Sequence, residues 1–147
     1  MIHFTNNLGT PKFIIFTIDY SSMLSRTADN YLRTIYEIIG KKGYVRVKDI
    51  ADSLEVKPST ASEMLEKLNE LNLIIYEKRS GITLTEEGKK TALVVNERYK
   101  IFLKLFELAG VSPKTAYRDA CILEHYVSDE TNKAIQNLVE KLQKNEY

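Results

Sequence analysis

The sequence is short of the residues on which most covalent and metal-cage chemistry rests: one cysteine, two histidines and no tryptophan in 147 residues. A lone cysteine excludes a disulfide framework within one chain and suits a reducing compartment. Two histidines leave little material for a zinc cage or a histidine-based catalytic triad. Proline and glycine are scarce, at three and six, which excludes collagen-like and low-complexity chains. Charge of one sign is lacking as well. The 21 Lys and Arg stand against 20 Asp and Glu, so nothing global advertises nucleic acid, a membrane surface or an acidic ligand. No run approaches the ~20 apolar residues of a membrane-spanning helix. The longest early run, residues 13–18, is far too short and lacks the basic leader and cleavage site of a signal peptide. What remains is 44% hydrophobic and 28% charged, enough for one ordinary domain or two small layers sharing a core.

Residues 1–22 differ from the rest: β-branched and aromatic, with Gly9, Pro11 and Asn6-Asn7, and without a helical period. They read as an added strand, or as a disordered or untranslated extension upstream of a true start at Met23. From Thr27 the pattern turns helical. Tyr31, Leu32, Ile35, Tyr36, Ile38 and Ile39 recur at spacings of three and four, predicting a helix capped by Thr27 and stopped at Gly40 or Gly43. An extended piece over 44–47 leads to a two-turn helix over 48–54 and a connector over 55–57. Pro58 sits where a first helical turn tolerates proline. The next helix, over 59–71, would turn Ala61, Met64, Leu65, Leu68 and Leu71 inward.

Two short helices across a tight turn form a helix-turn-helix. A strand over 73–78, the turn Arg79-Ser80-Gly81 and a second strand over 82–84 then supply a hairpin. An ordinary α+β fragment shares this element order, but connector length, Pro58 and the hairpin glycine agree on a winged helix. The predicted class is mainly α: a winged helix-turn-helix with a small β-hairpin wing over 23–85, then a helical dimerisation and metal-binding domain over 86–147.

The chemistry of the second helix fits reading DNA. Lys57, Pro58, Ser59, Thr60, Ser62 and Glu63 lie at its start, the end that enters the major groove in this motif. Short hydroxyl side chains and exposed amides there suit phosphates and base edges. Lys67 lies further along, Lys78 and Arg79 tip the wing, and Lys41, Lys42 and Arg46 are placed for flanking phosphates. Asp49, Asp52, Glu66 and Glu70 nearly cancel them in number, so DNA binding requires the two signs on different faces.

Thr85 and two glutamates open a long helix. Ala92, Val95, Tyr99, Phe102, Leu103 and Phe106 form its apolar stripe, widened by Val94, Ile101, Leu105 and Leu108. So apolar a helix on a small domain buries more than one face, as in a homodimer or in a monomeric bundle with the last two helices. In a helix predicted over 113–126, Cys121, Glu124 and His125 stand at i, i+3 and i+4 on one face. They read as a partial metal site, or as a buried cysteine beside a surface pair. A hydrolase using Cys121 and His125 lacks a group to orient the base.

The segments Asn30-Tyr31-Leu32-Arg33-Thr34-Ile35-Tyr36, Val47-Lys48-Asp49-Ile50-Ala51, Lys57-Pro58-Ser59, Leu84-Thr85-Glu86-Glu87-Gly88 and Asp119-Ala120-Cys121-Ile122-Leu123-Glu124-His125, in that order, resemble the metal-dependent repressors of the diphtheria-toxin-repressor and manganese-transport-regulator family. The resemblance runs from about Ala28 to Leu142. It is to the short, two-domain type, which lacks the SH3-like third domain of the longer iron repressors. It implies a cytoplasmic homodimer on double-stranded DNA with a palindromic operator, repressing in response to one divalent metal ion per subunit.

Carried over by position, the resemblance puts Cys121, Glu124 and His125 on ligand positions, with Asn30 as a weak fourth. Arg33 falls where the manganese type has a glutamate, Arg98 where the family has a histidine, and Phe102 where it has a carboxylate. A second metal site is therefore not expected. Thiolate with imidazole favours Fe(II) foremost, with Co(II), Ni(II) or Zn(II), over Mn(II). Alternatively Arg98 is a cation substitute that pairs with Glu124, making the regulator metal-independent or responsive to a small organic ligand.

Overall fold

The computed structural model of the chain describes residues 3–5, 11–13 and 20–144. Strands β1 (His3–Thr5) and β2 (Pro11–Phe13) pair antiparallel, with His3 opposite Phe13. Helix α1 spans Tyr20–Lys42. It begins before Thr27, which therefore lies inside the helix and does not cap it. No proline or glycine stands between Tyr20 and Thr27 to stop the helix extending upstream. Gly40 is also interior, and the helix closes at Gly43, whose N–H donates to the Ile39 carbonyl at 2.7 Å.

Helix α2 spans Val47–Leu54 and α3 spans Pro58–Glu70. Val47 is helical where an extended residue was expected. The Asp49 carboxylate reaches back to accept the Arg46 N–H at 3.0 Å, closing the first turn one residue earlier. Between α2 and α3, Glu55 adopts φ 54° and ψ 42°, and the Val56 N–H returns to the Ala51 carbonyl at 3.0 Å. That closure turns the chain within three residues. Ala61, Met64, Leu65 and Leu68 are buried along α3, but Leu71 leaves the helix and is exposed.

The wing is the antiparallel pair β3 (Ile74–Glu77) and β4 (Gly81–Leu84), with Ile74 opposite Leu84 and Glu77 opposite Gly81. Ile74 and Ile82 point inward. They join Tyr31, Leu32 and Ile35 of α1, Ile50 of α2 and Leu65 and Leu68 of α3 in one core.

Helix α4 spans Glu86–Leu108. Thr85 caps it, accepting the Gly88 N–H at 3.1 Å while its own hydroxyl donates to the Asn72 carbonyl at 2.7 Å. A Cβ at Gly88 would lie 1.8 Å from the Leu73 carbonyl oxygen. Only glycine lets α4 start against the turn that ends α3. Helix α4 then passes through both cores: Ala92 belongs to the first, while Tyr99 and Phe102 form a second with Ala120.

Helix α5 spans Pro113–Leu123 and α6 spans Asp129–Gln143. Residues 124–126, expected to be helical, form turns. The N–H groups of His125 and Tyr126 bond to carbonyls three residues back, at 3.4 and 3.0 Å, which tightens the helix end. Among the described residues no helix is long and apolar enough to cross a membrane.

Gly88→Ala is expected to lower stability by about 3 kcal/mol or more, because backbone rather than a flexible side chain obstructs the added carbon. A urea unfolding midpoint equal to that of the parent would contradict the close approach.

Candidate metal centre and DNA-reading surface

Burial of one face of α3 leaves the other to solvent. Lys57, Pro58, Ser59, Thr60, Glu63 and Lys67 are exposed, as are Lys78 and Arg79 on the wing, while Ser62 is half-buried. Of the offsetting acidic groups, Asp52, Glu66 and Glu70 remain exposed. Asp49 is paired with the Lys42 ammonium at 2.6 Å. That bond, with the Arg46 N–H, holds its carboxyl below the usual carboxylate range. Glu66 and Glu70 line a hollow with Tyr76 and Lys78 at the base of the wing. The sequence reading missed Tyr44. It is exposed in the α1–α2 link, its ring centroid 6.0 Å from Lys42 Nζ and 5.3 Å from the Arg46 guanidinium.

At the far end of α1, Asn30 meets Glu124 and His125 from the turn after α5. His125 Nε2 lies 2.9 Å from Glu124 Oε1 and 3.4 Å from Asn30 Oδ1. Asp29 Oδ2 stands on the other side of the ring, 3.8 Å from Nδ1. Glu124 is 3% exposed, and its Oε1 has no hydrogen-bond donor aligned on it despite the short contact. With the imidazole proton on Nδ1, the three facing atoms are all electron-pair donors. Their spacing is that of neighbouring ligands on a divalent ion, roughly 3 Å apart for bonds of about 2.1 Å. Among the described residues no three His, Cys, Asp or Glu side chains gather closely enough to hold an ion. The third donor here is an amide oxygen. Burial raises the Asp29 carboxyl above its ordinary value, and His125 opposes that rise.

Cys121 does not share this cluster. Its Sγ receives a hydrogen bond from Arg33 Nη2 at 3.3 Å, and Arg33 also donates to the Tyr117 hydroxyl at 3.3 Å and to Glu37 at 3.1 Å. Burial pushes the Cys121 thiol up further than Arg33 draws it down. The i, i+4 spacing between Cys121 and His125 is lost because the chain tightens at His125, whose N–H bonds three residues back, although Glu124 keeps helical dihedrals.

Arg33 is 1% exposed, with its guanidinium 4.3 Å from the Tyr99 ring centroid. Burial works against its charge, but Tyr117, Cys121 and Glu37 together outweigh that and hold it charged above its ordinary value. The cation expected at the candidate site was Arg98, paired with Glu124. Arg98 instead forms an ion pair with Asp129 at 3.3 Å and donates to the Val127 carbonyl. It lines a cavity of about 380 Å³ with Glu124 and His125, yet its bonds tie α4 to the start of α6. A charged residue one turn after Asn30 and one turn before Glu37 was the available signal for Arg33.

Two family models match the chain. One, the iron dependent repressor N-terminal DNA binding domain, covers residues 23–82. The other, the iron dependent repressor metal binding and dimerisation domain, covers residues 85–147. The HTH-type transcriptional regulator MntR of Geobacillus kaustophilus (strain HTA426) is 36% identical over 124 residues, covering 84% of this chain and 88% of that protein. Among solved structures, the manganese regulator SloR superposes with a TM-score of 0.67 at 25% identity, over 77% of this chain and 53% of that one. A manganese-dependent transcriptional repressor in complex with manganese gives 0.66 at 28% identity, over 77% and 52%. This chain thus spans about half the length of those two solved chains. With a winged helix followed by a helical half that matches the metal-binding model, the chain belongs to the iron-dependent-repressor and manganese-regulator family of metal-dependent, DNA-binding transcriptional regulators.

Proposed function

We propose that the chain acts as a cytoplasmic homodimeric repressor that sets two copies of α3 in successive major grooves of a palindromic operator, and that one divalent ion per subunit controls its affinity. The observation that carries this reading is the meeting of Asn30 Oδ1 and the buried, unpartnered Glu124 Oε1 at His125 Nε2, 3.4 and 2.9 Å away. Asn30 belongs to the helix that builds the reading head, and Glu124 and His125 to the helical half. A bound ion supplies positive charge at that junction and favours the head disposition that fits DNA. Asp29, facing Nδ1, orients the imidazole so that Nε2 presents its lone pair.

The ion is a hard one such as Mn(II). Carboxylate, amide oxygen and imidazole suit Mn(II), whereas the preference for Fe(II) read from the sequence required the Cys121 thiolate. The manganese named for the solved relatives points the same way. Support for the dimer comes from the exposed Ile122 and Leu123 on α5, within the half matched by the dimerisation model.

Calorimetric titration with Mn(II) is expected to give one ion per subunit. His125→Ala and Glu124→Ala should abolish the heat, Asp29→Ala should weaken binding about 10–100-fold, and Cys121→Ser should leave it unchanged. Chelator is expected to reduce affinity for a duplex from the chain's own promoter region by about 5–150-fold, restored by Mn(II). Silent titrations together with undiminished binding in chelator would rule out metal control.

Arg79→Ala is expected to weaken binding to all duplexes and lower the salt slope by about 1. Replacing Ser59 or Thr60 should alter which sequences are preferred in a selection from random duplexes. Ile122→Asp should turn a dimer into a monomer in sedimentation velocity. A parent chain that already sediments as a monomer would dismiss the two-headed arrangement.

A further inference from the structure

Arg33 is the largest fully buried side chain among the described residues. It starts on α1, in the reading head, and ends among groups of the helical half: the Tyr117 hydroxyl and Cys121 Sγ of α5 and the Tyr99 ring of α4. Glu37, one turn along α1, balances its charge. Helices α1 and α5 are not extensively packed backbone against backbone. On the far side of Arg33 lies a cavity of about 390 Å³, with Ser53 and Leu54 of α2 facing Thr115 and Ile122 of α5. Helix α1 packs along α4, and Arg33 extends that contact to α5, as Arg26 does further up α1 with the Tyr126 hydroxyl. The candidate ion position lies one helical turn away, at Asn30.

We propose that Arg33 is a positioning residue, a permanent cation that ties the reading head to the α4–α5 layer whether or not a metal is bound. It rests on the reading of Asn30, Glu124 and His125 as the metal-controlled link, beside which Arg33 acts irrespective of metal. A guanidinium suits the task because its planar fork reaches the phenol and the sulfur together while its face lies on Tyr99. An ammonium at the same place can hold the charge but not all three contacts. The chelated protein therefore keeps part of its head alignment, and the response to metal is smaller than it would be without Arg33.

The test uses the full chain with a duplex from its own promoter region, measured in chelator and in excess Mn(II), for the parent, Arg33→Lys and Arg33→Gln. Arg33→Gln is expected to weaken binding by about tenfold in chelator and by less than about threefold with Mn(II), so that the ratio between the two conditions widens. Arg33→Lys should fall between the parent and Arg33→Gln. Hydrogen exchange in chelator should rise over residues 30–37 and 114–121 in the same order. Equal losses in both conditions, or no loss, would overturn the proposal, since a residue serving stability alone acts irrespective of metal. If Arg33→Gln does not fold by circular dichroism, Tyr117→Phe decides by the same ratio, because it removes one hydrogen-bond partner and leaves the packing. Should Mn(II) have no effect on the parent, the metal reading fails separately and the ratio no longer discriminates; unchanged hydrogen exchange over residues 30–37 and 114–121 in Arg33→Gln would then overturn the role of Arg33.

Discussion

The buried guanidinium of Arg33 sets the geometry of the junction between the two halves. Taking such a charge out of water costs several kcal/mol unless its surroundings answer it. Here a carboxylate, a phenol, a thiol and an aromatic face do so from three helices. A desolvated contact with an aromatic face contributes about 2 kcal/mol. These partners fix the rotation of α1 about its own axis from one side, while Tyr31, Leu32 and Ile35 fix it from the other by packing into the first core. With rotation set from both sides, Asn30 has little freedom except to face His125. The placement of the candidate ligands therefore follows from an interaction in which they take no part.

Much of the reading head was legible in the sequence because its signals are local. Pro58 at the first turn of α3, the three-residue connector and Gly81 in the hairpin each act within a few residues, and together they admit one arrangement. Boundaries were less legible where a side chain outside the pattern decided them. Asp49 reaching back to Arg46 drew Val47 into α2, and nothing between Tyr20 and Thr27 stopped α1 from starting early. Gly88 reads in sequence as an ordinary position in a helix. Only the path of the chain around Leu73 gives it meaning.

The candidate site was half legible. Asn30, Glu124 and His125 converge, but Cys121 was assigned with them on the assumption that α5 continues through residue 126. The helix tightens after Leu123, which moves His125 out of the helical spacing, while the thiol stays in α5 one turn after Tyr117 and bonds to Arg33. The chemistry changes with it, from a mixed soft set to oxygen and imidazole, and so does the class of ion. The cation was also misplaced. Sequence order brought Arg98 near Glu124, whereas Val127 and Asp129 claim it first. Arg98 still lines the cavity with Glu124 and His125, but which partner it bonds depends on the loop before α6, and spacing along the chain does not encode that.

Helix α4 is one unbroken rod that contributes Ala92 to the first core and Tyr99 and Phe102 to the second. The boundary between the two halves therefore does not mark a place where the protein can be cut. A head excised at the end of the wing would lose a wall of its own interior. Swapping heads between relatives would succeed only if the opening turns of the rod travelled with the donor. The DNA reader and its controller are in this sense a single inheritance, and variation is freest at the outer surfaces of each, away from the shared beam.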